Sequence, residues 1–189
     1  MKRQPAGLSI VIWCFFSLLA LDGMTCRATG ESREYQIKAA FLLNFAQFIQ
    51  WPANAFATPD APFVIGVLGD DPFRAALDQT VEGETVRSRK IVLRRGRTAD
   101  ELKDCQMIFL GKSEEAHVRE ILLRLGKSPV LTVSEIRGFA RRGGIIDFYP
   151  EGGKVRFEIN PGAAEERGLK INSQLLSLGR IVKTEKEEN

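Results

Sequence analysis

Histidine is almost absent from this chain, His117 being the only one in 189 residues. A catalytic triad or a metal centre built on imidazole is therefore unsupported, and His117, in the middle of a helical pattern, reads as a solvated side chain. Cysteine is scarce as well, with only Cys14, Cys26 and Cys105, so there is no paired CxxC. Also missing are HExxH, a nucleophile elbow and the glycines of GxGxxG. Gly111-Lys112-Ser113 invites comparison with a phosphate-binding loop, but position 106 is Gln where GxxxxGK[ST] needs glycine. Asp70 and Asp71 are neighbours, and neighbouring carboxylates rarely meet one substrate atom; capping explains them more simply. Nothing in this inventory recommends an enzyme, and no cofactor or metal is expected. A dominant charge is lacking too. The 27 Lys and Arg against 24 Asp and Glu leave a formal charge of +3, so nothing requires nucleic acid. There is no internal repeat and no low-complexity linker.

What is present begins with an export signal. Lys2 and Arg3 precede an apolar run from Leu8 to Leu21, too short to span a bilayer comfortably, and small or polar residues follow from Thr25 to Gly30. This reads as a signal peptide over residues 1–28, with an uncleaved anchor as the alternative. The mature α/β domain would occupy 29–182 and lie in the periplasm, with a disordered tail over 183–189. Removing the leader takes away Lys2, Arg3 and Arg27 against Asp22, so the formal charge falls from +3 to +1. It also takes Cys14 and Cys26, leaving Cys105 alone in an oxidising compartment. Its setting, Asp104-Cys105-Gln106-Met107-Ile108-Phe109-Leu110, is the entry to a buried strand, which favours an inert thiol.

Along the mature chain, residues 34–51 form the longest helical candidate, apolar over so wide an arc that burial on more than one side is implied. Trp51-Pro52 should stop it. Phe63-Val64-Ile65-Gly66-Val67-Leu68 reads as a buried parallel strand, followed by a helix near Pro72 with Asp71 as its cap. Ile91-Val92-Leu93, among Arg87, Arg89, Lys90, Arg94, Arg95 and Arg97, looks like an edge strand with charged ends, an anionic partner surface being the other reading. Thr98 caps the next helix. Cys105 to Leu110 and Val130 to Val133 are further strands, the first leading into a helix from Ser113 to Gly126 and the second into a helical turn at Ser134-Glu135-Ile136.

Residues 143–182 close the pattern. Two apolar runs flank Glu151-Gly152-Gly153, as in a hairpin. In the second arm Val155, Phe157 and Ile159 fall on one face and Arg156, Glu158 and Asn160 on the other. Asn160-Pro161 is a helix start with Asn160 at the cap, and Asn172-Ser173 is another. The whole order predicts an α/β fold: an open, mostly parallel sheet flanked by helices on both faces, with a C-terminal β-hairpin.

Phe157-Glu158-Ile159-Asn160-Pro161, Ala163-Ala164, Gly168-Leu169, Ile171-Asn172-Ser173 and Leu175-Leu176-Ser177-Leu178 resemble the C-terminal signature of the YfiR family. Those are small periplasmic proteins named after a repressor of a membrane-bound diguanylate cyclase. The resemblance continues upstream in Tyr35-Gln36-Ile37-Lys38-Ala39-Ala40-Phe41-Leu42-Leu43-Asn44-Phe45 and Trp51-Pro52. It implies a regulatory binding protein that docks on the periplasmic domain of such a cyclase and lowers cyclic-di-GMP signalling, with consequences for biofilm. An OmpA-like peptidoglycan-associated lipoprotein would remove it. Some YfiR relatives carry disulfides, which a lone Cys105 cannot reproduce. The contact candidates are Phe45, Phe48 and Trp51 at the end of the first helix, the hairpin aromatics Phe148 and Tyr149, and the outward Arg156, Glu158 and Asn160. The apolar first helix and hairpin are compatible with a homodimer. A small-molecule sensor using the turns at Gly69-Asp70-Asp71 or Gly111-Lys112-Ser113, or a partner of a sensor kinase or transporter, are the alternatives.

Overall fold

A computed structural model describes residues 22–185. The expected leader therefore lies outside the described residues, apart from its last few, which belong to the first helix. That helix, α1, runs Asp22–Phe48 and ends at Phe48 rather than Trp51, because Ile49–Gln50 (β1) leaves it to pair antiparallel with Lys170–Ile171 (β9).

The main sheet has eight strands. In chain order these are β2 (Phe63–Leu68), β3 (Thr85–Val86), β4 (Arg89–Gly96), β5 (Met107–Leu110), β6 (Leu131–Ser134), β7 (Ile146–Glu151), β8 (Lys154–Ile159) and β10 (Arg180–Ile181). Their spatial order is β10-β8-β7-β6-β5-β2-β4-β3. The run β4-β2-β5-β6-β7 is parallel throughout. The chain goes from β2 outward to β4 and then crosses to β5 on the other side of β2. Its winding therefore reverses between β2 and β5, and helices are placed on both faces. The fold is the predicted one, with the hairpin β7-β8 continuing the sheet in antiparallel sense.

Strand alternation sorts the core into two layers. Phe63, Ile65 and Val67 of β2, Met107 and Phe109 of β5, Ile146 and Phe148 of β7, and Phe157 and Ile159 of β8 meet one set of helices. These are α1, α2 (Ala75–Val81), α5 (Pro161–Glu165) and α6 (Ser173–Leu178). Val64, Leu68, Ile108 and Leu110 face the other way, onto α3 (Ala99–Leu102) and α4 (Val118–Leu125). Cys105 is buried and free on this second side, and burial pushes its thiol up to about 11, as an inert thiol requires.

The caps behave as their residue types dictate. Asn160 Oδ1 accepts from the Ala163 N–H at 3.1 Å with Pro161 opening the helix, Asn172 Oδ1 accepts from the Gln174 N–H at 2.8 Å, and Thr98 caps α3. Three expectations fail locally. The helix expected from Ser113 opens as a 3-10 turn, Lys112–His117, and α4 begins only at Val118, because Ser113 Oγ accepts from the Asp70 N–H and caps nothing. Asp71 makes a turn, its Oδ1 accepting from the Phe73 N–H at 2.8 Å, and α2 starts only at Ala75. The helix expected from Ser134 is a loop that ends in a short 3-10 turn at Ala140–Arg142. Ser134 Oγ there donates to the Leu110 carbonyl and accepts from the Ile136 N–H, so its hydroxyl ties the end of β6 to β5 and closes a local turn that no helix continues.

Candidate functional site

Helices cover the second face of the sheet only over β4, β2, β5 and β6. Over β7, β8 and β10 the alternation puts Asp147 and Tyr149 of β7 and Arg156 and Glu158 of β8 on that face, with Arg180 of β10 beside them. Asp147 stands opposite Glu158, and Tyr149 opposite Arg156. The result is a polar stripe laid on strands, with cross-strand pairs fixing its order.

Charges in the stripe alternate along a chain of contacts. Arg141, from the turn after β6, donates to Glu158 Oε1 at 3.1 Å, and Arg180 donates to the same oxygen at 3.3 Å. Arg180 also reaches Glu151 Oε1 at 3.0 Å and lies over the Tyr149 ring, 4.6 Å from its centroid. Arg156 Nε is 3.7 Å from Glu151 Oε2. The rim is exposed and its pairs are individually weak, whereas Glu158, 7 % exposed, holds two guanidiniums at a nearly desolvated carboxylate.

Asp147, 3 % exposed, lies beneath this network. Burial and the facing Glu158 push its carboxyl up to about 7, against backbone N–H groups of Gly138 and Phe139 and the more distant Arg141, which favour the charged form. One of its oxygens, Oδ1, has no partner among the described residues.

The contact candidates separate cleanly by face. Phe45, Phe148 and Phe157 form an aromatic cluster on the helix-covered side, with ring centroids 5.7 Å apart for Phe45 and Phe148 and 5.1 Å for Phe45 and Phe157. Phe45 and Phe148 are buried, so neither presents surface to a partner. Phe48 is half-buried against the same core. Trp51 stands edge-on to Phe63 at 4.9 Å and donates from Nε1 to the Gln106 carbonyl at 3.0 Å, which makes it a strut between α1 and β5. Asn160 is also buried. Its amide donates to the Ala140 carbonyl at 2.8 Å and to Thr184 Oγ1 at 2.9 Å. With the Glu185 N–H donating to the Arg141 carbonyl at 2.9 Å, that bond ties down residues 184 and 185, which were expected in a free tail. Tyr149, Arg156 and the rim of Glu158 remain together on the open face. Sequence reasoning missed Asp147, Arg141 and Arg180. A carboxylate interrupting Ile145-Ile146-Asp147-Phe148 was the available signal for the first, and Arg141 and Arg180 carried none.

The crevice where the winding reverses is closed by its own turns. Asp70 N–H donates to Ser113 Oγ at 3.0 Å, and a Cβ at Gly111 would lie 2.4 Å from the Asp70 carbonyl oxygen. Among the described residues no group of three or more His, Cys, Asp and Glu side chains is placed to hold a metal ion, and no helix is long and apolar enough to cross a membrane.

Fold and surface together define a mixed α/β domain with a polar stretch of sheet that no α-helix covers, its inner carboxylates Asp147 and Glu158 buried beside the Ala140–Arg142 turn and its rim exposed. The YfiR/HmsC-like family profile matches residues 35–180, and the chain belongs to that family, which is periplasmic and regulatory rather than catalytic. No curated protein matches the sequence. Among solved structures, a conserved domain protein from Vibrio cholerae O1 biovar El Tor is similar in fold, with a TM-score of 0.53 at 11% identity. The match covers 79% of this chain and 60% of that one.

Proposed function

We propose that this protein is a periplasmic regulator that docks on the extracytoplasmic domain of a membrane-bound diguanylate cyclase, holds it inactive and so lowers cyclic-di-GMP. The observation that carries the reading is the polar face of β7, β8 and β10, which no helix covers and on which Tyr149, Arg156 and Arg180 stand together. An aromatic ring with one arginine over its face and another opposite it on the next strand, beside alternating charges, has the composition of a protein-docking surface. Repression requires that the inactive cyclase be bound better than the active one. Moving a two-state partner from 1:99 to 99:1 takes about a 10⁴-fold difference in affinity. An OmpA-like peptidoglycan-associated lipoprotein competing for the regulator would reverse the shift by mass action.

Co-expression with a membrane-bound diguanylate cyclase of the same genome tests the regulatory part: cyclic-di-GMP should fall when this protein is present, and unchanged output with every such cyclase would remove the basis of the assignment. The face is tested by Arg156→Glu combined with Tyr149→Ala. Both side chains lie at the exposed rim, so the fold should persist, while affinity for the purified cyclase domain should drop by about tenfold or more. Undiminished binding would move the docking site elsewhere.

A further inference from the structure

The opposite edge of the sheet has its own unfilled side. β4 pairs with β2 from Ile91 to Gly96, but on its outer side β3 engages only Arg89 and Lys90. The Gly96 carbonyl accepts from the Gly69 N–H at 3.1 Å and so points inward toward β2. Backbone groups alternate along a strand, so those of Arg94 and Val92 also point inward, and those of Leu93 and Arg95 point outward. Beyond β3 these outward groups have no strand partner among the described residues.

The surroundings of this edge are shaped for an added strand. On the helix side a groove of about 910 Å³ lies between β4 and α2, with Ala75, Val81, Ile91 and Leu93 as its apolar lining and Asp78, Glu82 and Glu84 among its charged residues, so it favours an uncharged side chain over an acidic one. On the other side Lys90 and Arg94 are exposed around Val92, which is 43 % exposed. Neither Lys90 nor Arg94 has a carboxylate partner among the described residues, Arg94 bonding only to the Glu101 carbonyl at 3.4 Å. Arg87 (φ 50) and Ser88 (φ 68) are the two-residue turn joining β3 to β4, where a tight hairpin requires both residues in the left-handed region, so β3 turns away after Thr85 and Val86 have paired.

We infer that the outer side of β4 is a second docking site, which takes an extended segment of a partner protein by strand addition. An added strand continues the pleat, so its side chains alternate between the groove, where Ile91 and Leu93 offer apolar contact and the carboxylates of α2 disfavour acids, and the Lys90 and Arg94 side. The segment that fits therefore alternates aliphatic with acidic residues. This site is separate from the β7-β8-β10 face and stands whether or not that face binds a cyclase. The competing role for cations on an edge is to repel other strands, and the two roles differ in outcome.

The probe is a fluorescein-labelled, end-capped peptide of alternating valine and glutamate, matched to the stretch of β4 beyond β3, Ile91 to Gly96. A control of the same composition has its glutamates in one block. The alternating peptide should bind about tenfold more tightly than the control, because only alternation satisfies both sides at once. Lys90→Glu combined with Arg94→Glu should reduce its affinity by about tenfold. Hydrogen exchange on the wild-type protein, which needs no variant to fold, should slow at the Leu93 and Arg95 amides when the alternating peptide is bound. Equal binding of both peptides, full binding by the double variant, unchanged exchange at those two amides, or no binding at all would each overturn the proposal, the last in favour of a guarded edge.

Discussion

Replacing Phe45 with alanine should destabilise the domain by roughly 3–5 kcal/mol, the usual cost of emptying a buried aromatic site. The ring has no exposed surface and packs against Phe41 of its own helix and against Phe148 and Phe157 of the hairpin. Together with Phe41, which meets the same two rings, it holds α1 on the antiparallel end of the sheet. A typical domain has only about 5–15 kcal/mol in total, so this single change should lower the melting temperature by about 10 °C or more. Urea denaturation of wild type and Phe45→Ala measures it. A loss below about 1 kcal/mol would mean that the ring is not in the core as described. The consequence for function is practical. Loss of partner binding in Phe45→Ala would report a damaged scaffold, whereas Arg156, exposed and weakly paired, can be changed with little effect on folding and reports docking.

The second large effect has the opposite sign. Asp147→Asn should stabilise the protein at pH 8, because it removes a carboxylate whose charged form the native state disfavours. The folded carboxyl titrates at about 7 against 3.8 for the free group. Below pH 4 both states hold the proton and the residue contributes nothing. Between pH 4 and 7 the native state keeps a proton that the unfolded chain has released, so stability falls as pH rises, and above pH 7 the full cost is present. A gap of about three units sets an upper limit of roughly 4 kcal/mol. Since the amide oxygen can still accept from the Gly138 and Phe139 N–H groups, about 2 kcal/mol is the expected gain at pH 8, shrinking toward pH 5. Chemical denaturation at the two pH values decides it. An equal loss of stability between pH 5 and pH 8 in variant and wild type would show that Asp147 is not the titrating group. The same substitution removes one of two facing carboxylates under the docking stripe, so Glu158 would keep its two arginines without a like charge across the ladder.

Several features could be read from residue order because their causes are local. Helix starts at Asn160-Pro161, Asn172 and Thr98 depend on side chains bonding N–H groups two or three residues away, and all three appear in the structure. The hairpin depends on Gly152 and Gly153, which take φ values of 57° and 72°. The alternation of Val155, Phe157 and Ile159 against Arg156, Glu158 and Asn160 also holds. Alternation tells which residues share a face but says nothing of what covers that face. Asn160 and Glu158 are polar and point away from the aromatic core, yet both are buried by the turn at Ala140 and Arg141 and by residues 182–185. Phe45 and Phe48 lie at the wide apolar end of α1 with Trp51 just beyond β1, and that width marked packing on several sides, with Phe45 fully buried and Phe48 and Trp51 partly so.

By itself, then, the amino-acid order determined the alternation of strands and helices, the caps, the hairpin turn and the membership of a regulatory family. These rest on interactions among residues close in the chain or on short signatures that survive intact. Only the tertiary structure decided that Arg141 and Arg180 converge on Glu158 and that Asp147 loses its water. Each of those follows from the order of strands across the sheet, which brings together residues far apart in sequence and leaves one stretch without a covering helix.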